Sequence, residues 1–459
     1  MAFNELSLPF EGTFFFTEVD PEAALKDSRD PLGFQPVWSH FGRKLVGNLT
    51  TVTTSVRGFT TLLLGHWVAG QLVESAKIDP ADYIEPFLRF EQVAAYSRFA
   101  WQSETGDPVN TIRGIRRVEA RFSEGNGRVR IATDRDGQIL SNQKTYGLWG
   151  LYSVAAENSG LLSSKRDRLQ PAALKFLEDA VLPILDDRLK EGRHTLLRFL
   201  TRQETYFEPK GTDKALGKTL ASLLSPHFGM RELEFYAEHL VSGTHCHPDG
   251  RQKRLWERMD QSNRPETWQH PFGMMELEVI SGVCQASEDT LDRLVGKWLE
   301  NIRLLELVLA PAEQAFDFLL GQRGQPFALV SGELQRRWEG AFDHLDPARL
   351  DEFKTTMAEA LGETGGEFTG WLQRLSSAFR YGRFEEVVRL VLVQNEQVMQ
   401  RRGGGPWATL KGDRIEVRYS DQTGEPTVAR ELPRVWRNTY FLNALKVVGE
   451  SVFMKGVPE

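Results

Sequence analysis

Apolar residues recur at helical spacing through most of the chain. From Leu169 onward Leu174, Leu177, Val181, Leu182 and Leu185 share one stripe, with Pro171 where a first helical turn tolerates proline. The stretch opening at Ser287 is the most regular. Ser287 is placed as an N-cap, Glu288 and Asp289 complement the positive helix end, and Leu291, Leu294, Val295, Trp298, Ile302 and Leu305 form one face. Pro311 is expected to end that helix and begin another. Gly321 to Gly324 with Pro326 mark a joint, after which helical spacing returns over 334–342, 350–361 and 384–399. The apolar run over 61–73, interrupted by Gly65, His66, Gly70 and Gln71, predicts a buried helix too short and too polar to span a bilayer.

Two stretches switch to the period of strands. Residues 128–132 alternate, Asp136-Gly137 is a turn pair, and 138–140 supply a returning strand, which predicts a small hairpin. Near the other end Ile415, Val417 and Tyr419 alternate with Arg414, Glu416 and Arg418 beyond Lys411-Gly412-Asp413, predicting a second hairpin with 407–410, covered by a helix over 440–453. The expected fold class is therefore mixed α+β and predominantly α-helical. Texture divides it into an N-terminal α/β domain (1–165) with an arginine-rich segment, a helical middle (166–324), and a C-terminal region (325–459) of helices ending in a β-hairpin and a helix.

Composition narrows the functional classes only slightly. A length of 459 residues, 41% hydrophobic and 26% charged, predicts more than one globular domain and no long disordered tail. The net charge of −7 makes the whole molecule a poor electrostatic magnet for nucleic acid or acidic lipid, so a polyanion site must be a local patch. Two cysteines, Cys246 and Cys284, do not make a disulfide framework, and residues 1–10 lack a basic start and a long apolar core, which together predict a cytoplasmic protein that avoids the membrane.

The strongest patch is Arg113, Arg116, Arg117, Arg121, Arg128 and Arg130, set against only Glu119 and Glu124 in the same stretch. Arginines so spaced suit phosphate by paired N–H donors, or else pair with acids elsewhere on the chain. Arg57, beside the hydroxyl-rich segment 50–55, and Arg401-Arg402, ahead of Gly403-Gly404-Gly405-Pro406, extend the set of candidate nucleic-acid or partner contacts. His239, His245, Cys246 and His247 are the densest cluster of nitrogen and sulfur ligand types, with His270 and Cys284 in reserve. They raise a metal-dependent hydrolase or nuclease as the alternative, although no second ligand pair stands nearby and the bland reading is a turn with Cys246 buried. Gly211 to Thr219 imitates a phosphate-binding loop but has five residues between its glycines where four are needed, so no cofactor is expected. Adjacent acids such as Asp186-Asp187 and Glu385-Glu386 diverge on helices and do not pair for catalysis.

Arg29-Asp30-Pro31-Leu32-Gly33, Trp38, Gly42-Arg43 and Arg57-Gly58, with Gly404-Gly405-Pro406-Trp407 and Trp436-Arg437-Asn438-Thr439-Tyr440-Phe441 at the other end, resemble a family of bacterial proteins encoded beside anti-phage defence genes. The resemblance touches the two ends of the chain. It implies a setting in a multi-protein antiviral defence system and carries no catalytic residue. With it, the expectation is a non-enzymatic complex subunit that binds other protein subunits of the same system and, through its arginine face, DNA or RNA.

Overall fold

In the computed structural model, the described residues are 30–453 apart from 54, 203–204, 263–270 and 419–426. The sequence expectations at Arg29, Thr54, His270 and Tyr419 and over residues 1–10 lie outside them. The chain is predominantly helical with, among the described residues, two short two-stranded sheets, and it forms two compact units that interleave in sequence. One comprises residues 42–272, 282–296 and the chain from 441; the other comprises the chain through 41, 273–281 and 297–440. The textural borders near 165 and 324 both fall inside these units.

In the first of these units, helix Arg57–Glu74 is apolar on nearly every side, and it is buried on nearly every side. It lies against helix Ile84–Thr105, which in turn packs on helix Lys214–Leu223. Gly65 permits the close approach, because a methyl group there would stand 2.8 Å from the Phe87 ring. Gly106, at φ 65°, ends Ile84–Thr105, and just beyond it Asp107 takes both arms of Arg98 at 2.6 and 2.7 Å. The predicted helix after Leu169 begins at Pro171 and runs to Arg188 through a π-helical turn at Leu177–Val181.

The strand at Val129–Ile131 does form, but its partner differs from the expected one. It pairs antiparallel with Thr205–Phe207, setting Val129 opposite Phe207 and Arg130 opposite Tyr206. Asp134 is the reason that 136–140 does not return as a strand: its carboxylate and carbonyl both take the Gly137 N–H, which closes a local turn. Buried Val129, Ile131 and Phe207 then give the strands an apolar reason to meet across the long connection.

The other unit holds helices Phe327–Trp338, Gly365–Arg380 and Phe384–Arg401 and the predicted C-terminal hairpin, Ala408–Lys411 against Arg414–Val417, turned by Gly412 at φ 62°. Helix Thr290–Leu320 runs unbroken past Pro311, contrary to expectation, because the flanking Val308, Leu309, Ala310 and Ala312 are all buried and their packing outweighs one lost backbone bond. Its cap is Asp289, whose carboxylate takes the N–H groups of Leu291 and Asp292. Ser287, the expected cap, instead donates to Asp292 at 2.7 Å. Among the described residues no helix is long and apolar enough to cross a membrane.

Candidate functional site: an aromatic and basic cavity

The predicted arginines differ in what holds them. Arg116 and Arg117 are exposed on helix Ile115–Glu124 and have no ion-pair partner among the described residues. Arg121 donates to the Gln138 carbonyl at 2.7 Å, Arg128 pairs with Glu208 over the Tyr206 ring, and Arg130 grips Asp134. Arg113 turns inward. Arg57 is 2% exposed and is held by the Ser225 and His227 carbonyls and by Glu232, so it is a structural post with no surface left for a ligand. Arg401 is exposed, and Arg402 binds the Asp30 carbonyl at 2.7 Å. Thr50 and Thr53 bond each other at 2.9 Å in a local turn.

The imidazole and thiol cluster also disperses. His239 lies 3.2 Å from the Ser159 carbonyl, His245 packs on Gly160, and Cys246 and His247 pack on Gly47. Burial pushes the Cys246 thiol up to about 11, away from the thiolate a metal needs. Among the described residues no group of three or more His, Cys, Asp or Glu converges to hold a metal ion. The phosphate-loop look-alike sends Lys218 over Trp101 toward Glu104.

What the fold does build is a cavity of about 530 Å³ at the C-terminal end of helix Arg57–Glu74, within the range of small-molecule sites. Four segments wall it. Gly70, Val73 and Glu74 come from that helix, and Pro80, Ala81, Tyr83 and Ile84 from the turn into the next. Lys144 and Trp149 flank the start of helix Leu148–Asn158, and Lys165 to Arg168 form the last wall. That last segment is a hairpin tip closed by the Leu162–Leu169 bridge, with Arg166 in the left-handed region at φ 56°. Ser163 ties the tip by donating to Asp167 at 2.7 Å, which holds that carboxyl below its usual range. Gly70 leaves open space where a side chain would project.

Aromatic packing fixes the inner wall. The Trp149 indole stacks on His66 with centroids 4.9 Å apart and planes 26° apart, Phe87 meets it edge-on at 5.2 Å, and the rest of its half-buried surface lines the cavity. Tyr83 donates its hydroxyl hydrogen to the His66 carbonyl at 3.1 Å. The 3.1 Å contact between His66 Nδ1 and the same hydroxyl must therefore be donated by Nδ1, which leaves the buried Nε2 lone pair without a partner. Burial pushes the imidazole down to about 3, so it stays neutral beside the indole.

Charge is distributed unevenly around the rim. Arg166 is engaged by Glu157 at 2.7 Å and Arg168 by Asp167 at 3.6 Å. Lys144 and Lys165 are exposed and have no ion-pair partner among the described residues. The cavity thus offers ring surface on one side and, on the rim beside Glu74 and Asp167, two ammonium groups outside any ion pair among the described residues. None of its ring residues was singled out by sequence reasoning, although the run from Lys165 to Arg168 and the Trp149-Gly150 pair are visible there. No family model, curated protein or solved structure matches the chain.

Proposed function

We propose that the chain is a non-enzymatic binding component whose ligand is a planar ring bearing negative charge, a nucleotide or the end of a nucleic-acid strand, held in the Trp149 cavity. One observation carries the reading: Lys144 and Lys165, outside any ion pair among the described residues, stand on the rim of a cavity whose wall is an indole locked by His66 and Phe87. Ring stacking tolerates any base, and lysine ammonium groups meet phosphate as mobile point charges. Within a multi-subunit assembly such a site reports on a nucleotide or strand end, and exposed Arg116 and Arg117 extend the same basic character to a second contact.

Titration calorimetry with adenosine monophosphate and diphosphate, with uncharged adenosine as control, tests this. The phosphorylated compounds are expected to bind and adenosine to bind at least about tenfold more weakly, while Lys144→Glu with Lys165→Glu abolishes the difference. Equal binding of adenosine, or no effect of the double reversal, sinks the proposal.

A further inference from the structure

Helix Leu148–Asn158 has a second side. Through Leu148 and Tyr152 it also borders a smaller cavity of about 30 Å³, roughly the room two waters need, lined among others by Glu91, Arg98, Arg113 and Thr61. Glu91 is 3% exposed in the middle of helix Ile84–Thr105. One of its oxygens accepts the Leu148 N–H at 2.7 Å, in the first turn of the helix that carries Trp149, and the other accepts from Gln143 Nε2 at 2.8 Å. The fit is tight. A methyl group on Gly147 would lie 2.7 and 2.9 Å from the two carboxylate oxygens, so the chain between Lys144 and Trp149 is pressed onto Glu91.

We infer that Glu91 is a proton-operated latch on the Trp149 cavity: ionised, it holds the first turn of helix Leu148–Asn158 in place, and on taking up a proton it releases that turn and lowers ligand affinity. The inference rests on the ligand reading above for its consequence, and on the Glu91 contacts for its mechanism. Both groups facing the carboxylate are donors, and Gln143 Oε1 is already occupied by Gln92 Nε2 at 3.0 Å. An added O–H on Glu91 takes up lone-pair space on one oxygen and makes it a weaker acceptor, so the bond that oxygen accepts is weakened. Among the charged residues around the small cavity, Arg98 is committed to Asp107 and Arg113 keeps a buried Nε without a hydrogen-bond partner. The Arg57–Glu74 helix presents only the Thr61 hydroxyl, which is donated to the Arg57 carbonyl, and helix Leu148–Asn158 presents Tyr152. Burial raises the Glu91 carboxyl to about 7 against the pull of its two donors and of Arg113, which puts the proton step within reach of ordinary pH.

The test has one arm without ligand and one with it. Fluorotryptophan is incorporated into the full chain, the resonance of position 149 is assigned with Trp149→Phe, and it is followed by fluorine NMR across the titration of Glu91. Naphthalene-1-sulfonate, an aromatic anion of fixed charge, is titrated in parallel by calorimetry at about pH 8 and about pH 6. The expected result is a resonance that shifts with a midpoint near 7 in the wild type and is flat in Glu91→Gln, together with sulfonate affinity that falls by roughly fivefold or more on acidification only when Glu91 is present. Gln143→Leu, which removes one donor, moves the midpoint upward and serves if Glu91→Gln fails to fold. A resonance that is flat in the wild type, or one that titrates unchanged in both variants, overturns the latch. A resonance that follows Glu91 with no sulfonate binding at either pH supports the latch and sinks the ligand reading.

Discussion

Two buried glutamates, one in each unit, stand in opposite states of completion. Glu306 is fully buried and accepts four hydrogen bonds, from the Arg437 and Asn438 N–H groups, Asn438 Nδ2 and the Tyr440 hydroxyl. Glu91 accepts two, beside a cavity and an unpartnered arginine nitrogen. Burial raises both carboxyls. A saturated carboxylate is a fastener, since every lone pair has a fixed use; an incompletely surrounded one retains the freedom to change state. Completeness of the surrounding donors, and not burial alone, separates the part of the molecule built to stay from the part able to respond.

The sharpest way to break that comparison is to remove each carboxylate. Glu306→Ala strands four donors and is expected to cost about 3 kcal/mol or more in urea unfolding, whereas Glu91→Gln, whose amide nitrogen faces one of two donors, costs only about 1 kcal/mol at neutral pH. Similar losses for the two would erase the distinction. Next in size is filling the open cavity. Gly70→Leu enters space with no neighbouring atom within 4 Å, so it is expected to leave thermal stability intact while weakening nucleotide binding at least about tenfold by calorimetry.

The dependence of stability on pH is a subtler measure. Glu91 binds its proton more tightly when folded, so its contribution favours the folded state at low pH and declines as pH rises from about 4.5 to about 7. Glu91→Gln removes that part of the slope in urea midpoints measured across this window, and Glu306 leaves a remainder of the same sign. The smallest effect belongs to the exposed arginines. Arg116→Glu with Arg117→Glu alters stability by no more than about 0.5 kcal/mol, and any change is confined to polyanion binding, read from its salt dependence.

Local pattern carried well where one element explains itself. The 57–74 helix, the start at Pro171, the hairpin around Gly412 and the closing helix at Leu442–Phe453 all follow from period and turn chemistry. It failed where a distant partner decides: Val129–Ile131 finds Thr205–Phe207, and Pro311 is carried by the packing around it. The site was illegible for the same reason. Tyr83, Trp149 and Lys165 lie far apart in the sequence and acquire meaning only around one cavity. One signal was present and unread: Glu91 sits among Phe87, Phe90, Val93 and Ala94, where a carboxylate on an apolar stripe requires an explanation.

The interleaving of the two units bears on how the chain comes to be folded at all. Residues after 440 supply Phe441 beneath the Arg43 guanidinium, Asn443 for the Phe272 N–H and Phe453 stacked on Trp256, all in the unit whose chain begins at residue 42. On the ribosome that unit waits, with part of its apolar surface open, until helix Leu442–Phe453 has emerged, so its assembly is set by a segment made well after residues 42–296.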